Sequence, residues 1–207
     1  MIKDNLFFYI IGTHCCGKTS IINRLKSEGH IELSGSEIGK DLYYKEKFLT
    51  SSQDLHFEHR VAGLELDRDK SFDDFQGIVV VETWHPGNIA YALLRNKDGC
   101  GDLLEYYKSS PFKKNAIGIW LVLSNPAETI NQRTKTFIGD KDWAVEFYCA
   151  IQNSINDAVN MMGLKNSIIK ISADDDADTV YKSVLDTIKA AKLSNHNYEY
   201  TDSHTIV

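Results

Sequence analysis

The sequence holds only four cysteines, Cys15, Cys16, Cys100 and Cys149, and no Cys-x-x-Cys pair. No disulfide framework can be drawn from them, so a reducing compartment is expected. The chain also lacks any run near the roughly 18 apolar residues of a membrane span. The apolar stretch in MIKDNLFFYIIG is too short for a secretory core followed by a cleavage site, and reads as a first strand. A cytoplasmic protein with no membrane partner is expected. Positive charge is short as well: 23 Lys and Arg stand against 29 Asp and Glu, a net charge of −6. A broad nucleic-acid surface needs clustered Lys and Arg, so such a partner is not favoured. A local track built from Lys45, Lys47, Lys113, Lys114, Lys135 and Lys141 stays open. The seven histidines form no spacing typical of zinc. No internal repeat and no low-complexity linker divides the chain.

What is present fits one α/β domain. The 207 residues are 43% hydrophobic and 25% charged, which is ordinary globular composition with enough apolar material for one core. Leu6 to Ile11 (LFFYII) is a continuous apolar run, as expected of a strand buried on both faces. Ile21, Ile22 and Leu25 then recur at helical spacing, with Gly29 as a stop. HIEL at 30–33 reads as a second strand, followed by a Ser34-Gly35-Ser36 turn. Residues 37–70 read as helical, with Phe57, Val61, Leu64 and Leu66 as the apolar stripe. Further strands are expected at GIVVV (77–81), AIGIWLVL (116–123) and SIIKI (167–171), alternating with helices at 88–94, 103–108, 127–137, 143–162 and 179–192. That alternation predicts a three-layer α/β/α fold on a five-stranded parallel sheet. The expected organisation is one domain over 1–193, with a lid near 126–142, and a mobile polar tail at 194–207.

Gly12-Thr13-His14-Cys15-Cys16-Gly17-Lys18-Thr19 matches G-x-x-x-x-G-K-[ST] at every fixed position. Gly12 and Gly17 let the backbone bend and approach an anion. Successive N–H groups then form an anion nest at the start of the following helix. In this P-loop, Lys18 reaches the β- and γ-phosphates and the Thr19 hydroxyl ligates Mg²⁺. The expected nucleotide-binding set is Gly12, Thr13, His14, Cys15, Cys16, Gly17, Lys18, Thr19 and Ser20, serving ATP or GTP. Cys15 and Cys16 are read as small side chains turned away from phosphate.

The loop alone does not decide the reaction. After the fourth strand the chain reads LSNPAE, without the Asn-Lys-x-Asp base reader of Ras-type GTPases. Three stretches, GTHCCGKTS, GIVVVETWHPGNIAYA and WLVLSNPAETINQRTKTF, resemble the P-loop kinases that phosphorylate nucleosides, nucleotides and similar metabolites. EIGKD at 37–41 resembles the E-x-G-R-D segment of the branch containing the nicotinamide riboside kinase domain, with Lys40 in place of Arg. The likeness to the P-loop kinases as a whole implies an acid at the end of the third strand, Glu82, on the Mg²⁺ side. It also implies a basic lid, with Arg133 and Lys135 clamping the transferred phosphate, and an adenine-side loop at Ser172–Asp176. Homodimers are common among such kinases.

Glu37 is the candidate catalytic residue that orients the acceptor hydroxyl, with Glu32 as a rival base. Arg60 and Trp84 are candidate substrate-binding residues, Trp84 for stacking on a flat ring. Tyr91 reads rather as core, and His85 as a polar turn residue. The expected activity is ATP- and Mg²⁺-dependent phosphoryl transfer to a small nucleoside- or nucleotide-like acceptor. The alternatives are a regulatory P-loop NTPase that signals to a partner, and a kinase acting on nucleic acid.

Overall fold

The computed structural model describes residues 5–46, 55–95, 100–134 and 140–202. In chain order the elements are β1 (Asn5–Gly12), α1 (Lys18–Ser27), β2 (Leu33–Gly35), α2 (Ile38–Glu46), α3 (Leu55–Phe72), β3 (Gly77–Glu82) and α4 (Trp84–Arg95). They continue as α5 (Cys100–Ser109), β4 (Ile117–Val122), α6 (Pro126–Arg133), α7 (Lys141–Met161), β5 (Ile168–Ser172) and α8 (Ala177–Asp202). The five strands form one sheet in the order β2-β3-β1-β4-β5, with every pairing parallel. The expected α/β/α arrangement on five parallel strands is therefore observed.

β1 explains why its sequence is apolar without alternation. Phe7, Tyr9 and Ile11 enter one core with residues of α3, α4, α5 and α7. Phe8 and Ile10 enter a second core with residues of α1 and α8. β4 splits the same way, Trp120 facing the first core and Ile119 and Leu121 the second. Because crossovers place helices on both faces, a central strand has no solvent side to mark with polar residues.

Several boundaries differ from the sequence reading. β2 lies at Leu33–Gly35 rather than at residues 30–33, so Gly35 is strand, not turn. A Cβ on Gly35 would lie 3.0 Å from Val81 and 3.1 Å from Arg68, which is why this strand position carries glycine. α4 begins at Trp84 and so contains Pro86 in its first turn, where a missing N–H costs nothing. The polar end continues α8 as far as Asp202, placing the expected domain boundary inside a helix. No Gly or Pro follows Gly163, and a nucleated helix propagates cheaply until something stops it. On α3, Phe57 and Val61 are buried as expected, whereas Leu64 is exposed and Glu58, Glu65 and Asp69 take inward positions instead.

Trp84 is not a stacking surface for substrate. It is fully buried beside Phe7 and Tyr9, with ring centroids 5.2 and 4.9 Å away, and Tyr107 packs edge-on at 5.7 Å. Its Nε1 donates to Asp69 Oδ2 at 2.9 Å, and Ser110 Oγ donates to the same oxygen at 2.6 Å. His85 is buried too, with Nδ1 3.2 Å from Glu65 Oε2 and Nε2 3.3 Å from Asp69 Oδ2, so it is part of the core rather than of a surface turn. Burial lowers its pKa below the ordinary histidine value.

Two outcomes follow. Trp84→Phe deprives buried Asp69 of a donor and destabilises the fold by about 1–3 kcal/mol in chemical denaturation, while nucleotide affinity is unchanged. Gly118→Ala would place a Cβ 2.5 Å from the Tyr9 ring and 2.8 Å from Ile168. Overpacking of that kind costs about 1–3 kcal/mol and appears as a lowered melting temperature.

Candidate active site

The phosphate loop leaves β1 at the centre of the sheet, between β3 on one side and β4 on the other. The carboxyl edge of such a switch point is where α/β folds bind ligands. Gly12 has no room for a side chain, since a Cβ would lie 2.6 Å from the Leu121 carbonyl oxygen. Gly17 has φ +97° and begins α1 in a left-handed conformation that glycine adopts without strain. Cys15 also has positive φ, 60°, and so do Thr83 and Trp84 just after Glu82. Non-glycine residues in this region carry strain, and both places border the cleft.

Lys18 curls back over the loop. Its Nζ donates to the carbonyl oxygens of Gly12 at 3.0 Å and Thr13 at 3.1 Å, so backbone oxygens occupy the place phosphate oxygens would take. Burial opposes its charge, but Cys16, Glu37 and Glu82 outweigh that and hold the pKa above the ordinary lysine value. Thr19 Oγ1 lies 2.9 Å from both carboxylate oxygens of Glu82. The two side chains expected on the Mg²⁺ side thus meet at the head of α1. Burial raises the Glu82 pKa, offset in part by Lys18. A hydroxyl and a carboxylate give an oxygen-only donor set, which fits a hard cation. Among the described residues no cluster of three or more His, Cys, Asp or Glu could hold a metal alone.

The remaining loop residues divide. Thr13 is buried and its hydroxyl donates to the Tyr148 carbonyl on α7, so its side chain leaves the cleft. His14 stacks on Tyr148, with centroids 4.4 Å apart, and still lines the cleft, as do Cys15, Cys16, Thr19 and Ser20. Burial pushes the His14 pKa down and the Cys16 thiol up. Arg133, at the end of α6, donates to the Cys15 carbonyl at 3.2 Å, and Thr134 Oγ1 lies 3.1 Å from Cys15 Sγ. The expected lid therefore begins against the loop, while its second cation, Lys135, lies outside the described residues.

The cleft encloses about 1170 Å³, more than an ordinary single-ligand pocket. One end is formed by Arg24, Ala173, Asp175, Asp176, Val180 and Tyr181. Asp176 Oδ1 accepts from the N–H groups of Asp178 and Thr179 at 3.0 Å and caps α8. Asp174 accepts from Ser124 N and so ties the loops after β4 and β5 together. The other end is a chamber of Glu37, Lys40, Phe57, Glu58, Glu65, Asn88, Tyr91, Arg95, Trp143 and Phe147.

Glu37 therefore opens into the cleft as expected. Glu32 does not: its Oε2 accepts from Ile78 N at 2.7 Å, at the beginning of β3 and away from the ligand edge. It fastens the strand and is no catalytic base. Arg60 is half-buried on α3 but does not line the cleft. The cleft-lining residues that sequence reasoning missed are Glu58, Glu65, Asn88, Tyr91, Arg95, Trp143 and Phe147. Glu58 and Glu65 sit two turns apart on the same buried face of α3, and acids within a buried stripe were the available signal. Tyr91, taken as core, lines the chamber in place of Trp84.

The sequence matches no protein-family model and no curated protein. Solved structures do match. Thymidylate kinase from Candida albicans superposes with a TM-score of 0.67 at 15% identity, covering 91% of this chain and 93% of that one. Deoxyadenosine kinase from M. mycoides, solved with dCMP and dCDP bound, gives 0.62 at 13% identity over 89% of this chain and 100% of its own. The NadR protein, solved in complex with NR, gives 0.61 at 16% identity over 89% of this chain and 51% of its own. At these identities the likeness speaks for architecture. The chain has the fold of the P-loop nucleoside and nucleotide kinases.

Proposed function

We infer that the chain is an ATP- and Mg²⁺-dependent phosphotransferase acting on the hydroxyl of a small nucleoside-like acceptor. The observation that carries this reading is the continuity of the cleft. Lys18, Thr19 and Glu82 line the same cleft as the α8 residues, which can receive a nucleotide, and as the aromatic residues Tyr91, Trp143 and Phe147. A regulatory NTPase needs the first two parts and has no use for the third.

Phosphoryl transfer depends on positioning and charge neutralisation. Lys18 exchanges the Gly12 and Thr13 carbonyls for phosphate oxygens. Arg133 approaches from the lid side and adds positive charge where the γ-phosphoryl group moves. Thr19 and Glu82 would hold Mg²⁺, which when bound neutralises charge shared by the β- and γ-phosphates. Glu37 accepts the proton of the acceptor hydroxyl as its oxygen bonds to the γ-phosphorus and the bond to the departing diphosphate breaks. The net change is ATP and an alcohol giving ADP, a phosphomonoester and a proton.

The test is a transfer screen with Mg²⁺–ATP or Mg²⁺–GTP and a panel of nucleosides, nucleotides and oligonucleotides, read by mass spectrometry. Wild type is expected to yield one class of phosphorylated small molecule. Lys18→Ala lowers kcat by about 10²–10³-fold. Glu37→Gln lowers it by about 10²–10⁴-fold with ATP affinity retained. Nucleotide binding without any product, or hydrolysis independent of acceptor, would replace this reading with the regulatory one. Product on oligonucleotides alone would move the acceptor class to nucleic acid.

A further inference from the structure

The cleft is lined by buried polar side chains whose bonding is incomplete. Asn88 is 3% exposed, Thr83 7% and Glu65 2%, and all three line the cleft. Asn88 Oδ1 and Thr83 Oγ1 have no hydrogen-bond partner, and Glu65 Oε2 meets only the His85 ring nitrogen at 3.2 Å. Buried polar groups are ordinarily paired, because an unpaired one costs about 1–3 kcal/mol. Two unpaired atoms beside one cleft mark a place where a ligand completes the bonding.

Asn88 has a definite polarity. Its Nδ2 donates to the Glu58 carbonyl at 3.0 Å, so the amide is fixed by α3 and only the acceptor end, Oδ1, is left for a ligand. Whatever meets it must donate. Glu65 Oε2, 3.2 Å from His85 Nδ1, adds a second oxygen on the same side. Burial keeps the Glu65 carboxyl pKa well above its ordinary value, so this side of the chamber does not demand a cation.

The walls select shape. Trp143 and Phe147 stack with centroids 5.1 Å apart at 12°, and Tyr91 lies 6.1 Å from Phe147. The Arg95 guanidinium sits 5.1 Å from the Tyr91 ring and 5.6 Å from Phe147, and is paired with Glu58. Its charge is thus already answered, which disfavours an anionic ring. The surfaces suit a flat, non-anionic heterocycle.

Resting on the phosphotransferase reading above, we propose that Asn88 is the specificity-determining residue of the acceptor chamber and that it selects a glycoside whose planar ring carries an N–H donor, as an exocyclic amino or carboxamide group. Asn88 acts on the ring end of the acceptor, away from the hydroxyl that Glu37 faces. A site built to bond a donor rejects an analogue that lacks it far more strongly than it rejects a change of apolar bulk.

The test uses matched pairs that differ in the donor-bearing group: adenosine with purine riboside, cytidine with pyrimidin-2-one riboside, and nicotinamide riboside with pyridinium riboside. Affinity is measured by calorimetry on the full chain loaded with Mg²⁺ and a non-hydrolysable ATP analogue, and phosphoryl transfer is measured separately with ATP. Wild type is expected to prefer the donor-bearing member of at least one pair by about 10- to 100-fold. Asn88→Ser compresses that ratio toward one, with folding checked by thermal melting. Should the variant fail to fold, the wild-type ratios decide alone. Ratios near one in every pair, binding of no pair, or a preference untouched in folded Asn88→Ser would overturn the proposal. Donor-selective binding without transfer supports it and instead removes the phosphotransferase reading; transfer without donor preference does the reverse.

Discussion

Alternate side chains of β1 are committed to two different cores, Phe7, Tyr9 and Ile11 to one and Phe8 and Ile10 to the other, and this double burial fixes where the chain can bind anything. A strand held on both faces and paired on both edges is rigid to its last residue. The loop that follows inherits that rigidity. Gly12 remains in register with Leu121 of β4, so the phosphate cradle starts from a fixed point rather than from a swinging loop. The same rigidity on β3 brings Glu82 to the level of Ile10, within reach of Thr19 on α1. The meeting of the Thr19 hydroxyl with the Glu82 carboxylate is thus a product of sheet register.

Charge in the cleft is balanced against itself. Lys18 is buried beside backbone carbonyls, and Glu37 and Glu82 favour its charged form. Arg95 is answered by Glu58, and Arg133 by the Cys15 carbonyl. Lys18 and Arg133 each rest on a backbone oxygen that a phosphate oxygen can replace, whereas Arg95 stays paired with Glu58. Exchange of one oxygen partner for another costs little in a low-dielectric site, whereas creating an unpaired ion there costs a great deal. This is preorganisation achieved with the protein's own polar groups.

Sequence was most informative where a single residue type is required by geometry or chemistry. Gly12, Gly17, Lys18 and Thr19 could be read because no other residues serve those backbone conformations and contacts. Apolar runs located four of the strands for the same reason. β2 was misplaced because three residues of edge strand carry no period, and Gly35 is chosen by the nearness of Val81 and Arg68, which are distant in sequence. Trp84 and Tyr91 exchanged roles because both are aromatic on one helix, and only the rotation of α4 decides which meets solvent. That rotation is set by the bond from Trp84 to Asp69, fifteen residues earlier on another helix.

The acids of α3 carry this reasoning furthest. Glu58, Glu65 and Asp69 occupy positions where a stripe of this kind would ordinarily present Leu or Val, and each is at least 98% buried. Asp69 is consumed by Trp84 and Ser110, and Glu58 by Arg95. These three bonds tie α3 to the end of α5 and to α4, from which Tyr91 and Asn88 line the cleft. Glu65, between them on the same face, meets only the His85 ring nitrogen at 3.2 Å, and Asp69 Oδ1 likewise keeps no hydrogen bond. An apolar residue of similar volume in place of Glu65 would remove the desolvation cost altogether. Glu58 and Glu65 line the cleft together with Asn88, so α3 supplies both a frame for the cleft and part of its polar surface.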